Sequence, residues 1–192
     1  RNTEFDKWEI DKINNLVSIL IQPINNALLY KQAITNASID PITNLNNRML
    51  FNKIIDQEID FAKRHKQQLL LMMLDLDNFK KVNDQYGHNT GDLLLKNIGE
   101  ILVNLMRRSD LVFRYGGDEF CIILRNTSLD GATILANRVR KNISNKKIDC
   151  SDIEIEASVS IGLVKLHDDD NAIKFTERAD NLLYEAKNSG RD

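Results

Sequence analysis

The sequence predicts an α+β fold: a central, antiparallel-rich sheet covered by helices, preceded by one long N-terminal helix. Three observations carry that expectation. Residues 8–36 read as a single helix. From residue 46 onward, apolar runs of strand length alternate with segments of helical period. Two strand-like stretches, 110–115 and 118–125, are split by Gly116-Gly117, a hairpin signal that makes the pairing in the middle of the sheet antiparallel.

In the front helix, Ile10, Ile13, Val17, Leu20, Ile24, Ala27 and Ile34 recur at steps of three and four, with Lys31 in the remaining slot. This is a heptad seam of the coiled-coil kind. Leu16, Ile19, Ile21, Leu28 and Leu29 widen the apolar surface. Pro23 removes one backbone donor and is expected to kink or divide the helix. Two uses of the surface stay open: pairing with a second copy, which the heptad spacing favours, or packing of a lone amphipathic helix on its own domain. Residues 37–45, with Pro41, break the helical pattern, and 46–65 resume it. QLLLMMLDL (68–76) has the length and apolarity of a buried strand. Residues 78–85 read as a short polar helix, and YGHNTGD leads into another over 90–106. After the hairpin come a helix over 128–145, a single strand over EIEASVSIGLVKL (154–166), and a last helix over 170–188. The expected division is a front helix, 1–36, and a globular domain, 37–192.

Composition narrows the function. The chain has 192 residues, 42% apolar and 28% charged, with a formal net charge of −2. That balance argues against a nucleic-acid binder, which is usually clearly basic, but allows a local cluster of cations to hold a nucleotide. Cys121 lies in the apolar run FCIIL, neither it nor Cys150 has metal-type spacing, and no disulfide framework is indicated. A reducing cytosol is the expected setting. No apolar stretch reaches the ~20 residues of a membrane span, and none resembles a signal peptide. The first residue is Arg1 rather than Met, so a longer parent protein is expected.

The chemistry concentrates in two places. Asp75 and Asp77 end the apolar strand, where a carboxylate reaches the sheet rim; alternatively, one of them caps the next helix. Asp118-Glu119 follow two glycines that let a ligand approach the backbone or simply make a tight turn. Strand neighbours point to opposite faces, so one of these two at most should face Asp75. Carboxylates from separate strands, a glycine turn and Lys80 and Lys81 nearby suit a magnesium–triphosphate site. The residues alone therefore indicate a nucleotide-dependent phosphoryl or nucleotidyl transferase.

Four longer motifs sharpen this. RYGGDEF (114–120), DPITNLNNR (40–48), LDLDNFKKVNDQYGHNTGD (74–92) and ERADNLLYEAKNSGR (177–191) occur in order. Together they resemble the GGDEF family of diguanylate cyclases, over about residues 37–191. The resemblance implies a fold like the palm of adenylyl cyclases and some polymerases, and an enzyme that joins two GTP into cyclic di-GMP. It implies two magnesium ions per site, with manganese as a substitute. Asp75, the carbonyl of Leu76 and Asp118 would hold them. Asp118 would also accept the 3′-hydroxyl proton, with Glu119 as the neighbouring carboxylate, and Lys80 would steady transition-state charge. Lys187 and Arg191 would grip the triphosphate. Asn83 and Asp92 would read guanine, with His88 lining that end. A carboxylate can accept from both N1–H and the exocyclic amine of guanine, and ATP would leave it unpaired. Read without the family, Asp92 is a helix cap and His88 a loop histidine with a structural hydrogen bond.

Arg107 and Asp110 form an RxxD pattern with residues 111–115 between it and Gly116. In the family that placement resembles an inhibitory site for the product, joined by Arg138 from the next helix; arginine's fork suits phosphate and the guanine edge. Read alone, RxxD is a common solvated helix end. The motifs depart from the family at Asn44, where glycine is usual, at Asn46, where proline is frequent, and at Asn78, where an aromatic is commoner. Asparagine tolerates the left-handed backbone a glycine position requires. DKINNLVSILIQPINNALLYKQA (11–33) is similar to the closing helix of a GAF sensor domain, which implies an upstream sensor. The expected whole is a bacterial cytoplasmic homodimer, the output part of a signalling protein. Two rivals remain at this point: a degenerate domain that binds GTP or cyclic di-GMP without turnover, and a purely structural dimerisation domain.

Overall fold

The computed structural model describes residues 7–36, 38–145, 147–150 and 153–190, and within the first helix the side chains of 7, 8, 11, 12 and 15–27. By compactness the chain divides into units 1–37 and 38–192. The first unit holds α1 (Lys7–Asn36), which continues through Pro23 as one element rather than dividing there. Proline leaves one carbonyl of the preceding turn without its helical partner, and on an exposed helix water replaces it. Leu16, Val17, Ile19, Leu20, Ile21 and Ile24 are all exposed, by 46–67%. Ile10, Ile13, Leu28, Leu29, Lys31 and Ile34 of the heptad reading lie outside the described side chains. Among the described residues no helix is long and apolar enough to cross a membrane.

The second unit is the expected α+β fold. In order come β1 (Asn46–Asn47), α2 (Arg48–His65), β2 (Leu69–Leu76), α3 (Phe79–Tyr86), α4 (His88–Leu105), β3 (Leu111–Arg114), β4 (Glu119–Arg125), α5 (Leu129–Ser144), β5 (Ile148–Cys150), β6 (Ile153–Ile155), β7 (Val159–Lys165) and α6 (Ala172–Asn188). Five strands form one sheet, ordered β1-β3-β4-β2-β7, with every pair antiparallel except β1·β3.

β2 lies inside the sheet between β4 and β7 and is buried along its whole length because both faces of the sheet are covered. Alternation sends Leu70, Met72, Leu74 and Leu76 into one core with Leu94, Leu95, Ile98 and Leu102 of α4 and Val139 and Ile143 of α5. Leu69, Leu71 and Met73 enter the other core with Phe51, Ile55 and Ile59 of α2 and Phe175, Ala179 and Leu183 of α6. Asparagine and serine side chains start three helices by accepting amide hydrogens: Asn47 for α2, Ser128 for α5 and Asn171 for α6. Gly162 lets α6 lie directly on β7, since a Cβ there would stand 2.4 Å from the Ala179 carbonyl oxygen. This close packing carries the C-terminal end of α6 toward the rim where β2 ends.

One strand differs from the sequence expectation. Residues 154–166 are two strands: β6 pairs with β5 in a separate hairpin, and β7 joins the main sheet. The break falls at 156–158, where the Ser158 carbonyl accepts the Asp77 amide hydrogen and the Ser158 hydroxyl donates to the Asp77 carboxylate at 2.7 Å. Local alternation runs through these residues unbroken, so only a partner 81 positions away decides where the strand starts.

Candidate active site

The rim formed by the end of β2 and the loop before β4 gathers the acidic residues. Asp75 pairs in register with Glu119 on one side and Ser160 on the other. The Leu76 amide donates to the Asp118 carbonyl at 3.2 Å, fastening the loop to the end of β2. Burial pushes the Asp75 carboxyl above the usual carboxylate range; the Lys187 contact opposes this, and the charges of Asp118 and Asp77 add to it. Glu119 is also raised, first by burial and then by the charge of Asp75, with Lys187 again opposing. Asp118 acts on Asp75, and Asp75 and Asp118 act on Glu119, so the charges of all three are felt at this rim. Asp118 precedes β4, so alternation does not govern it.

Lys187, near the end of α6, places its Nζ 2.6 Å from Asp75 Oδ2, with Asp75 10% exposed and Lys187 32%. Asp77 has a different job. Its carboxylate accepts from the hydroxyls of Ser158 and Ser160 at 2.7 and 2.8 Å, tying the start of β7 to the end of β2 rather than capping α3. Asp75, Asp118 and Glu119 are the acidic residues of this rim, and carboxylate oxygens suit a hard divalent cation such as magnesium, but the three do not converge as one ready-made cluster, and Asp75 Oδ2 faces Lys187 instead. Among the described residues the acidic group that does converge is His167, Asp169 and Asp170, beyond the far end of β7. There Arg178 meets His167 and Asp170 and Lys174 meets Asp169, so the protein supplies its own cations.

The loop between β3 and β4 spans Tyr115–Asp118, longer than a two-residue turn. Neither Gly116 nor Gly117 has a positive φ. At Gly116 a Cβ would stand 2.3 Å from Glu119 Oε2, so a larger residue there would push the carboxylate aside. The loop is held from two sides. Arg114 donates through Nε and Nη2 to the Gly117 carbonyl at 3.2 and 2.8 Å, and through Nη1 to both Asp40 oxygens at 3.0 and 3.1 Å. Asp40 in turn accepts from the Ile42 and Thr43 amides and the Thr43 hydroxyl. Burial raises the Asp40 carboxyl, but the Thr43 bonds and Arg114 outweigh it and leave it below the usual value. On the other side the Arg48 guanidinium lies 4.6 Å from the Tyr115 ring centroid, and Phe51 packs edge-on to the same ring. Asp40, Arg48 and Arg114 lie inside the sequence motifs, but their role is set by partners distant in the chain; the local signal is no more than an Arg before the glycine pair and an Asp in a turn.

α3 and α4 carry the other expected residues. Lys80 is exposed on α3. Asn83 packs against Gly91 of α4, where a Cβ would stand 2.0 Å from Asn83 Oδ1, and that oxygen is buried without a hydrogen-bond partner. His88 opens α4, and Asp92 stands one turn later, both exposed. Because α4 begins at 88, Asp92 is inside the helix and not its cap, and His88 is not a loop residue. Asn44 and Asn78 adopt φ of 59° and 57°, the left-handed backbone that asparagine accommodates. Arg191 lies outside the described residues.

The RxxD pattern occupies the turn between α4 and β3. Asp110 is buried, its Oδ2 accepting the Arg107 amide at 3.0 Å while its own amide donates to the Arg107 carbonyl. The Arg107 side chain stays exposed. Arg138 of α5 donates to the Leu105 carbonyl at 2.9 Å, which brings it to the same helix end. Arg125, paired with Glu58, supports the turn from below through the Ser109 carbonyl.

The family model described as "Diguanylate cyclase, GGDEF domain" matches residues 37–192. Diguanylate cyclase A of Treponema denticola is 34% identical, covering 98% of this chain and 51% of that protein. Diguanylate cyclase DgcS of Shewanella oneidensis is 35% identical, covering 94% and 60%. The chain thus spans between half and two thirds of the length of these relatives. Among solved structures, diguanylate cyclase SiaD, in complex with its activator SiaC from Pseudomonas aeruginosa, superposes with a TM-score of 0.77 at 29% identity, covering 95% of this chain and 73% of that one. The coiled coil and GGDEF domain of DgcB from Caulobacter crescentus, in complex with c-di-GMP, gives a TM-score of 0.82 over 95% and 96%, at 24% identity, which speaks to fold.

Proposed function

The chain belongs to the diguanylate cyclase GGDEF domain family, and from that premise we propose that it condenses two GTP into cyclic di-GMP with release of two pyrophosphates. The observation that carries the proposal is the joining of Asp75 and Asp118 at one rim by the Leu76–Asp118 backbone bond, with Lys187 on the cluster. In each half-reaction the 3′-oxygen of one GTP attacks the α-phosphate of the other and pyrophosphate leaves. Asp118 takes the 3′-hydroxyl proton, with Glu119 beside it. Lys80 steadies the phosphate charge, and Lys187 with Arg191 grips the triphosphate. Two magnesium ions, or manganese in their place, held by Asp75, Leu76 and Asp118, would supply charge neutralisation on the phosphates when bound. The test is incubation of the chain with GTP and magnesium, with cyclic di-GMP as the expected product; bound but unconverted GTP would favour a sensing module instead.

Asn83 and Asp92 read guanine, with His88 at that end. Asn83 Oδ1 is buried against Gly91, the residue before Asp92, which sets the two readers side by side. Asp92→Ala is expected to weaken GTP binding and to reduce preference over ATP by roughly 10²-fold or more, since unpaired polar groups carry such discrimination. A competition assay checks this, and full retention of GTP preference would remove Asp92 from the reader's role.

Each domain binds one GTP, so two must face each other, an isologous arrangement. We assign 1–36 to dimerisation and signal transfer, supported by the exposed apolar side chains of α1, and 37–192 to catalysis. A GAF-like sensor upstream and a bacterial cytoplasmic setting complete the proposal. The product would bind at Arg107, Asp110 and Arg138. Asp110 holds the turn, and the two arginines present guanidinium groups to phosphate and guanine. Arg107→Ala is expected to shift the product concentration for half inhibition upward by about tenfold or more, on the scale of a lost charged contact, with initial rates similar. An unchanged inhibition curve would make the RxxD turn a structural turn alone.

A further inference from the structure

Lys187 has a place in the site that its assignment to the triphosphate does not explain. Its Nζ stands 2.6 Å from Asp75 Oδ2, and Asp75 is the least exposed carboxylate of the rim cluster, 10% exposed and set between β4 and β7. The lysine projects from the last turn of α6, a helix anchored on the sheet by Gly162, Ala179 and Leu183. It reaches the cluster by its own flexible stem, 32% exposed. The pair therefore joins a fixed anion to a movable cation.

We infer that Lys187 is a tethered counter-ion that a divalent cation must displace from Asp75, so that metal loading at this rim is coupled to the arrival of a triphosphate that draws the lysine away. The inference rests on the proposed cyclase reading for the identity of the anionic ligand. Its logic is competition and linkage. The ammonium repels an incoming metal ion and competes with it for the Asp75 charge, so the lysine weakens metal binding while it holds Asp75. A triphosphate offers the ammonium several oxygens in exchange for one, which frees the carboxylate. Whatever releases the lysine then favours the metal, and the metal favours whatever holds the released lysine, by the same factor. Such an arrangement disfavours metal held alone at the rim and favours metal delivered with nucleotide.

The test needs no nucleotide. Manganese(II) is titrated into the full chain and free ion is followed by its electron paramagnetic resonance signal, for wild type, Lys187→Met, Lys187→Arg and Asp75→Asn. Lys187→Met keeps the length of the stem and removes the competing charge, so it should bind manganese about tenfold more tightly than wild type, within the usual range for coupled sites. Lys187→Arg keeps the charge and should stay close to wild type. Asp75→Asn should abolish the tight binding when combined with Lys187→Met, locating the ion at the rim. Thermal melts confirm that each variant is folded. Equal or weaker manganese binding in Lys187→Met overturns the inference. A tight site that survives Asp75→Asn overturns the inference together with the assignment of Asp75 as a metal ligand, whereas failure of the wild-type chain to convert GTP in the separate cyclase assay overturns the cyclase reading alone, so the failures are distinct.

Discussion

Asp118→Asn is expected to lower cyclic di-GMP formation by roughly 10³-fold, the scale seen when a preorganised charged group is removed from a transition state. The substitution is nearly isosteric and removes a charge and a proton acceptor together. Stability should be little changed, because the loop is fastened to β2 by the Asp118 backbone carbonyl and by Arg114 on the Gly117 carbonyl, both untouched by the change. Loss of a carboxylate should also relieve repulsion on Asp75 and Glu119, whose carboxyls it helps to raise. Chromatography of product from GTP and a thermal melt check the two halves. Turnover like wild type in a folded variant would show that the acceptor and metal role lies elsewhere.

Removal of residues 1–36 is expected to make the specific rate depend on protein concentration. Free domains meet only by collision, whereas a paired front helix would raise their effective concentration into the range of about 1 mM, as short tethers do. At micromolar protein the truncated domain should therefore lose most of its activity, on the order of 10²-fold, and recover part of it as concentration rises. The separate cores of the second unit, built on β2, α2, α4, α5 and α6, indicate that the truncated domain keeps its fold. Pro23, carried inside α1, and Lys31 on the heptad seam would make such a pairing weaker than an ideal coiled coil, which would suit two alternative packings more than a rigid strut. A truncated monomer with an unchanged, concentration-independent rate would contradict this.

What could be read from the sequence, and what could not, follows the range over which each feature is decided. The apolar run 69–76 announces a strand buried on both faces, and the order of elements announces a covered sheet. Asp75, Asp118 and Glu119 stand out because charged residues are costly at such strand ends. Features decided by distant partners stayed hidden. The start of β7 depends on Asp77 meeting Ser158 and Ser160. The hold on the signature loop depends on Arg114 reaching Asp40, 74 positions back. The glycine pair reads as a two-residue hairpin turn, whereas the loop is wider and Gly116 leaves room for the Glu119 carboxylate. Asp110 shows a third limit. Its hold on the Arg107 amide is local, yet a turn staple and a product ligand use the same two residues, and spacing alone does not separate them.

The most direct test of the account is the stoichiometry of turnover. The chain is incubated with GTP and magnesium, and cyclic di-GMP and pyrophosphate are quantified together, with ATP as a parallel substrate. Two pyrophosphates released for each cyclic di-GMP formed, with little product from ATP, is the predicted result. GTP bound without pyrophosphate release, or pyrophosphate released without the cyclic dinucleotide, would contradict it.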